Sequence, residues 1–196
     1  TGMRVMMDYA NSVPDPCRVA TYGESEDYCV TVNASAGCIA PFTETFDVFG
    51  NLGDWSQSVN DDIDWTQLSG STGSVNTGPI DDITGGGYYI YTEASYPNYP
   101  GKIAKLFSCS IDITTLTDPC LIFNYHMYGN NMGTLDIYID GALLWTKSGN
   151  QGPQWNMDQI SLLGVSDPSN VLIEFVGTTG SGYTSDIAID EVSINE

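Results

Sequence analysis

Residues Cys120 to Trp145, CLIFNYHMYGNNMGTLDIYIDGALLW, constrain this chain more than any other stretch. Leu121, Phe123, Tyr125 and Met127 fall on alternate positions, and so do Leu135, Ile137 and Ile139. A period of two places each set on one face of a β-strand. Between the runs lies GNNMG, whose glycines and asparagines tolerate the positive φ of a turn. Two long alternating strands joined by such a turn are predicted to belong to an antiparallel β-sandwich.

The rest of the main part repeats the pattern. Strand-like runs occur at Phe42–Val48, Tyr88–Glu93, Ile103–Cys109, Leu143–Lys147, Trp155–Leu163, Val171–Val176 and Ile187–Ile194, with Gly, Asn and Asp between them. Leu52–Trp65 reads as a loop carrying two tryptophans and an acidic cluster. No segment offers a long amphipathic helix, and no internal repeat is visible. The fold class predicted is all-β, an antiparallel jelly-roll sandwich at residues 36–196.

Residues 1–35 differ. MRVMMDY and EDYCVTV read as two further strands separated by the loop NSVPDPCRVATYGES, and Ala34–Cys38 reads as a linker. Two strands alone are marginal in water, so this pair is expected to lean on other chain. The sequence opens mid-pattern, without a signal peptide, as a piece of a longer secreted protein would.

Charge narrows the partners. Five Lys and Arg stand against 25 Asp and Glu, a formal charge of −20. Nucleic acid is a poor partner, because phosphate binding draws on clustered Lys and Arg. No stretch is long and apolar enough to span a bilayer as a helix, so no membrane insertion is expected. The five cysteines, Cys17, Cys29, Cys38, Cys109 and Cys120, form no CxxC, which argues against structural zinc. Cys109 and Cys120 flank the short segment SIDITTLTDP between two strands, and a Cys109–Cys120 disulfide is expected, with Cys17–Cys29 the second choice. Disulfides imply an oxidising compartment, hence a secreted or cell-surface protein.

Catalytic signals are sparse. His126 is the only histidine, too few for a zinc site or a Ser-His-Asp triad, and its expected role is structural. No HExxH, P-loop or GxSxG is present. The acid pairs, such as Asp136 and Asp140, sit in turns or at strand ends rather than on an aromatic-flanked acidic strand. No catalysis is expected. Trp55, Trp65, Trp145 and Trp155 read as core or loop anchors. Tyr96 and Tyr99, in the Pro-rich loop SYPNYPG, are candidate ligand-binding residues that would stack on sugar rings or a partner protein.

Two resemblances add to this. Met3–Val5, Pro16–Cys17 and Tyr22–Tyr28 resemble the end of a GEVED domain, common in secreted bacterial multidomain proteins, with Ser25 replacing the usual Val. The main part resembles a MAM domain over nearly its whole length. Phe46–Asp47 stands where that family has Phe-Glu, and Gly53–Trp55 where it has Cys-Gly-Trp. DDIDW (Asp61–Trp65), GPIDDIT (Gly78–Thr84), GGGYYIYTEAS, CLIFNYHMYG, GTLDIYI, VLIEFVG and SDIAIDEVSI follow in family order. The resemblance implies a jelly roll and a role in adhesion or protein–protein contact. The alternatives are a carbohydrate-binding module on a secreted glycan-degrading enzyme and an accessory domain of a secreted peptidase. The first cysteine pair of animal MAM domains has no evident counterpart.

Acids on the first and last strands, Asp47 and Asp190, would be neighbours in a jelly roll. With Glu191 beside Asp190, Asp61, Asp62 or Asp64 from the DDIDW loop, and Asp82 in reserve, they form a candidate Ca²⁺ site, since converging carboxylates repel unless a cation neutralises them. Some MAM domains hold a cation at corresponding acids. Its expected role is structural, with a protein or carbohydrate as the partner of the module.

Overall fold

The computed structural model describes the backbone of Gly2–Asp8 and Gly23–Cys29, and residues 37–196 in full. The chain divides into two units, Thr1–Ala36 and Gly37–Glu196, each taken by itself. In the first, β1 (Gly2–Asp8) and β2 (Gly23–Cys29) pair antiparallel, with Gly2 opposite Cys29 and Asp8 opposite Gly23. The Cys17–Cys29 pairing lies outside the described residues.

The second unit is a sandwich of two antiparallel sheets. One contains β4 (Phe42–Glu44), β6 (Thr66–Leu68), β7 (Tyr89–Thr92), β10 (Cys120–Met127), β13 (Asn156–Ser161) and β15 (Ile187–Asn195). Its order is β13-β10-β15-β7-β6, and β4 also pairs with β15. The other contains β5 (Trp55–Gln57), β8 (Ile103–Ser108), β11 (Thr134–Ile139), β12 (Ala142–Ser148) and β14 (Ile173–Thr178), in the order β12-β11-β14-β8-β5. The chain passes back and forth between the sheets, as a jelly roll requires. A short parallel pair, β3 (Cys38–Ile39) with β9 (Ile111–Asp112), closes one end.

The alternation read from the sequence builds the core. Leu121, Phe123, Tyr125 and Met127 of β10 are buried, as are Leu135, Ile137 and Ile139 of β11. The two inner faces meet at Phe123 and Phe175, whose ring centroids stand 5.9 Å apart, with Trp55 5.3 Å from Phe175. Removing the Phe123 ring would cost about 3–5 kcal/mol, because close-packed neighbours cannot refill the space. The tryptophans anchor as expected. Trp65 is core, Trp145 donates Nε1–H to Asp158 Oδ2 at 2.8 Å, and Trp155 donates to the Asp81 carbonyl at 3.0 Å.

Two expectations are corrected. The disulfide is Cys38–Cys109, spanning 71 residues, and Cys120 is free. Cys120 lies in β10, opposite Ser161 and Asn195, while Cys109 is held at the other sheet by its N–H bond to the Asp54 carbonyl. Adjacent strand-like runs proved to belong to different sheets, so nearness in sequence did not bring the two thiols together. The start of the module is therefore tied by a disulfide after all. The first strand is also shorter than Phe42–Val48. Phe46 adopts φ 57°, a left-handed conformation that a strand cannot continue through.

Candidate functional site: an acidic loop junction

The break at Phe46 redirects the acid that follows it. Phe46 is fully buried, so its ring anchors the turn, and Asp47 leaves the strand to accept the Tyr88 N–H at 2.8 Å. On the last strand a second irregularity does similar work. Between Ile122 and Asn124 of β10 lies one residue, but between their partners Ser193 and Asp190 lie two. This β-bulge, with Glu191 at φ 48°, re-aims Asp190. Asp190 is 2 % exposed, and its Oδ2 accepts the Ile83 N–H at 3.0 Å.

Between them the segment IDDITGGG wraps around Asp82. Asp82 Oδ1 accepts the Gly87 N–H at 2.8 Å, and Oδ2 accepts Thr84 N–H at 3.0 Å, Thr84 Oγ1–H at 2.5 Å and Gly85 N–H at 3.1 Å. Burial opposes ionisation of Asp82, but these donors together outweigh it and hold the carboxyl below its ordinary value. Asp190 is the opposite case. Burial is the largest influence and raises it to about 7, against two backbone N–H bonds, while the nearby Asp82 and Glu191 charges raise it further. Gly87 shows how close the acids come. A Cβ built there would stand 2.0 Å from Asp47 Oδ1 and 3.1 Å from Asp82 Oδ2, so both oxygens converge on the space a side chain would take.

Thus Asp47 and Asp82 meet at Gly87, and Asp190 holds the same IDDITGGG loop at Ile83. Asp62 and Asp64 do not join them. The DDIDW loop instead pins itself to β8. The Asp62 N–H donates to the Ile103 carbonyl, Asp62 Oδ2 accepts the Ile103 N–H at 3.0 Å, and Asp61 Oδ2 accepts the Lys105 N–H at 2.7 Å. The physical reason is strand termination: unpaired N–H groups beside β8 need acceptors, and these carboxylates supply them. Backbone bonding from Ile103, with the Lys102 ammonium 3.2 Å away, holds Asp62 below its usual value. Asp64 is exposed on the same loop. Among the described residues, no group of three or more His, Cys, Asp or Glu side chains is already arranged as a metal-ligand set.

His126 is 1 % exposed, with its ring against Trp155 and Tyr128. Burial depresses its pKa and outweighs the hydrogen bond its ring donates to the Pro153 carbonyl, so it is neutral at pH 7. Tyr96 is 84 % exposed, and Tyr99 is half-buried beside it. Their rings cross at 74°, with centroids 6.4 Å apart, so they present no shared flat face for a ligand.

Residues 45–196 match the family model described as MAM domain, meprin/A5/mu. The chain belongs to the MAM family. It is 36 % identical over 167 residues to human MAM domain-containing glycosylphosphatidylinositol anchor protein 2, covering 75 % of this chain and 17 % of that protein. It is 35 % identical over 147 residues to Neuropilin-1 of Xenopus laevis, covering 71 % of this chain and 15 % of that protein. The MAM chain therefore spans only a small share of the curated relatives it matches. The K1 cleaved adhesin domain of Lys-gingipain from Porphyromonas gingivalis W83 superposes with TM-score 0.56 at 13 % identity, covering 80 % of this chain and 98 % of that one. That likeness shows the sandwich fold alone.

Two features of this junction are not evident from strand alternation. The bulge at Glu191 left no mark in the Ile187–Ile194 alternation. Asp82 is the second, marked in the sequence only by the run of donors after it, Thr84 to Gly87, which suits a carboxylate-centred loop.

Proposed function

We propose that residues 37–196 form a non-catalytic interaction module of a secreted or cell-surface protein, contacting a partner protein. The observation that carries this is membership of the MAM family across residues 45–196. Curated relatives carry a glycosylphosphatidylinositol anchor in their names, and the Cys38–Cys109 disulfide suits an oxidising compartment. No helix among the described residues is long and apolar enough to cross a membrane. Contact with a partner is tested by size-exclusion chromatography with light scattering, and by capture on the immobilised chain of a candidate ectodomain or a second copy. Self-association or specific capture supports the reading. A strictly monomeric chain that captures no extracellular protein would overturn it.

The same proposal assigns Asp47, Asp82 and Asp190 as the residues that would hold a structural Ca²⁺. Supporting this, Asp47 and Asp82 oxygens crowd around Gly87, and Asp190 is raised first by burial and further by the Asp82 and Glu191 charges, a repulsion that a hard cation relieves. The ion would tie the IDDITGGG loop to both ends of the chain segment it bridges. Residues 1–35 are proposed to be the end of a GEVED-type domain, on the motif Tyr22–Tyr28, which would place the module in a bacterial multidomain protein.

A further inference from the structure

We propose that the cavity between the β10–β11 turn and the loop preceding β15 is a subsite for a neutral saccharide. The cavity measures about 400 Å³ and is lined by Asn76, Tyr128, Asn130, Asn131, Tyr183 and Thr184, with Gly129 at the turn. That volume lies in the range of small-ligand sites. A second cavity of about 450 Å³ shares Asn76 and Tyr128 with the first and continues to Pro153 and Ile80. The two cavities adjoin at Asn76 and Tyr128.

Chemistry selects the ligand class. The chain carries 25 acids, yet no charged residue lines either cavity. A cationic ligand would find no counter-charge there, and an anionic one would meet a chain of net charge −20 with no Lys or Arg to receive it. What the cavities do offer is two tyrosine rings and three side-chain amides. Aromatic faces accept the C–H face of a pyranose, and each amide presents a donor and an acceptor side by side, which suits a pair of adjacent hydroxyls.

The site is built rather than incidental. Asn131 Nδ2 donates to Ser181 Oγ at 2.9 Å and its Oδ1 accepts Thr184 Oγ1–H at 2.9 Å. One N–H and one lone pair of that amide remain free, in a fixed orientation. The Tyr128 ring stands edge-on at 81° against buried His126, which supports it from beneath. Tyr183 is 46 % exposed, and Asn76 holds a left-handed φ of 61° at the rim. An extended peptide is the competing occupant, but peptides that add to a sheet need a strand edge. Asn76, Tyr128–Asn131 and Tyr183–Thr184 all lie in turns and loops.

The test uses the whole chain on affinity gels of neutral polysaccharides (xylan, galactomannan, β-glucan) and on an array of neutral and anionic oligosaccharides. Retention on at least one neutral glycan is expected, and anionic glycans should not compete. Tyr183→Ala should weaken it about tenfold or more, the effect of one lost stacking contact. Asn130→Ala, an exposed change that leaves the core untouched, should also weaken it, whereas Tyr96→Ala should not. No retention on any neutral glycan would overturn the proposal. So would retention that survives both Tyr183→Ala and Asn130→Ala, or that is lost in Tyr96→Ala alone. These outcomes are independent of partner-protein capture, so the two readings fail separately.

Discussion

Replacing Asp186 with Asn should stabilise this protein at neutral pH, and the gain should disappear in acid. Asp186 is 0 % exposed. Its Oδ1 accepts the Ala94 N–H at 2.9 Å, but Oδ2 has no partner. Thr72 lies beside it, yet its hydroxyl is committed to the Thr77 carbonyl at 3.1 Å. Burial therefore dominates and lifts Asp186 from its ordinary 3.8 to about 6, with the Glu93 charge adding to the rise against the Ala94 bond. Below pH 3.8 both folded and unfolded states hold the proton, and the group is neutral to stability. Between 3.8 and 6 the folded state keeps a proton the unfolded chain has released, so stability falls as pH rises. Above 6 the full penalty is present. At ~1.4 kcal/mol per tenfold change in proton affinity, the penalty is roughly 3 kcal/mol. Asp186→Asn keeps the acceptor for Ala94 and removes the charge. Urea unfolding of both proteins at pH 4, 5, 6, 7 and 8 should show the variant more stable by up to about 3 kcal/mol at pH 8, the gap closing toward pH 4. Other carboxylates weaken the fold in acid, but they act equally on both proteins. A gap that does not change with pH, or a variant less stable at pH 8, would refute the reasoning.

Reducing the Cys38–Cys109 bridge should cost up to roughly 4 kcal/mol, the loop-closure entropy for a 71-residue separation, whereas Cys120→Ser should change urea stability little. Gly133→Ala places a Cβ 1.9 Å from the Thr178 carbonyl oxygen, so it should lower the melting temperature by many degrees, because backbone on both sides must shift. If Asp47, Asp82 and Asp190 hold Ca²⁺, adding it after EDTA treatment should raise the melting temperature, and Asp82→Asn should abolish that rise. Equal melting with EDTA and with Ca²⁺ would remove the cation from the proposal.

Period-two alternation sufficed for the fold class, because a buried strand face demands an apolar residue at every second position. Leu121 to Met127 and Leu135 to Ile139 obey it and fill the core. Motif order likewise sufficed for the family. Partner choice between distant segments was not legible. The thiol that joins Cys109 sits 71 residues away at Cys38, because the two meet across the closing end of the sandwich rather than along a hairpin. In one dimension Asp62 reads as the better candidate ligand and Asp82 as the reserve. The difference is that Asp62 faces the unpaired amides of β8, while the IDDITGGG loop folds its own N–H groups onto Asp82.

Composition and alternation by themselves determined an acidic, all-β chain without a recognisable catalytic motif, and the order of its motifs gave the resemblance to the MAM family. Only the tertiary structure decided which acids meet and which tyrosines line a cavity. The acids depend on two local departures from regular strand geometry, the left-handed turn at Phe46 and the bulge at Glu191, and the cavity on loops that adjoin only once the sheets have stacked. Side-chain periodicity encodes which face of a strand is buried. It carries no information about which distant loop a strand end will meet.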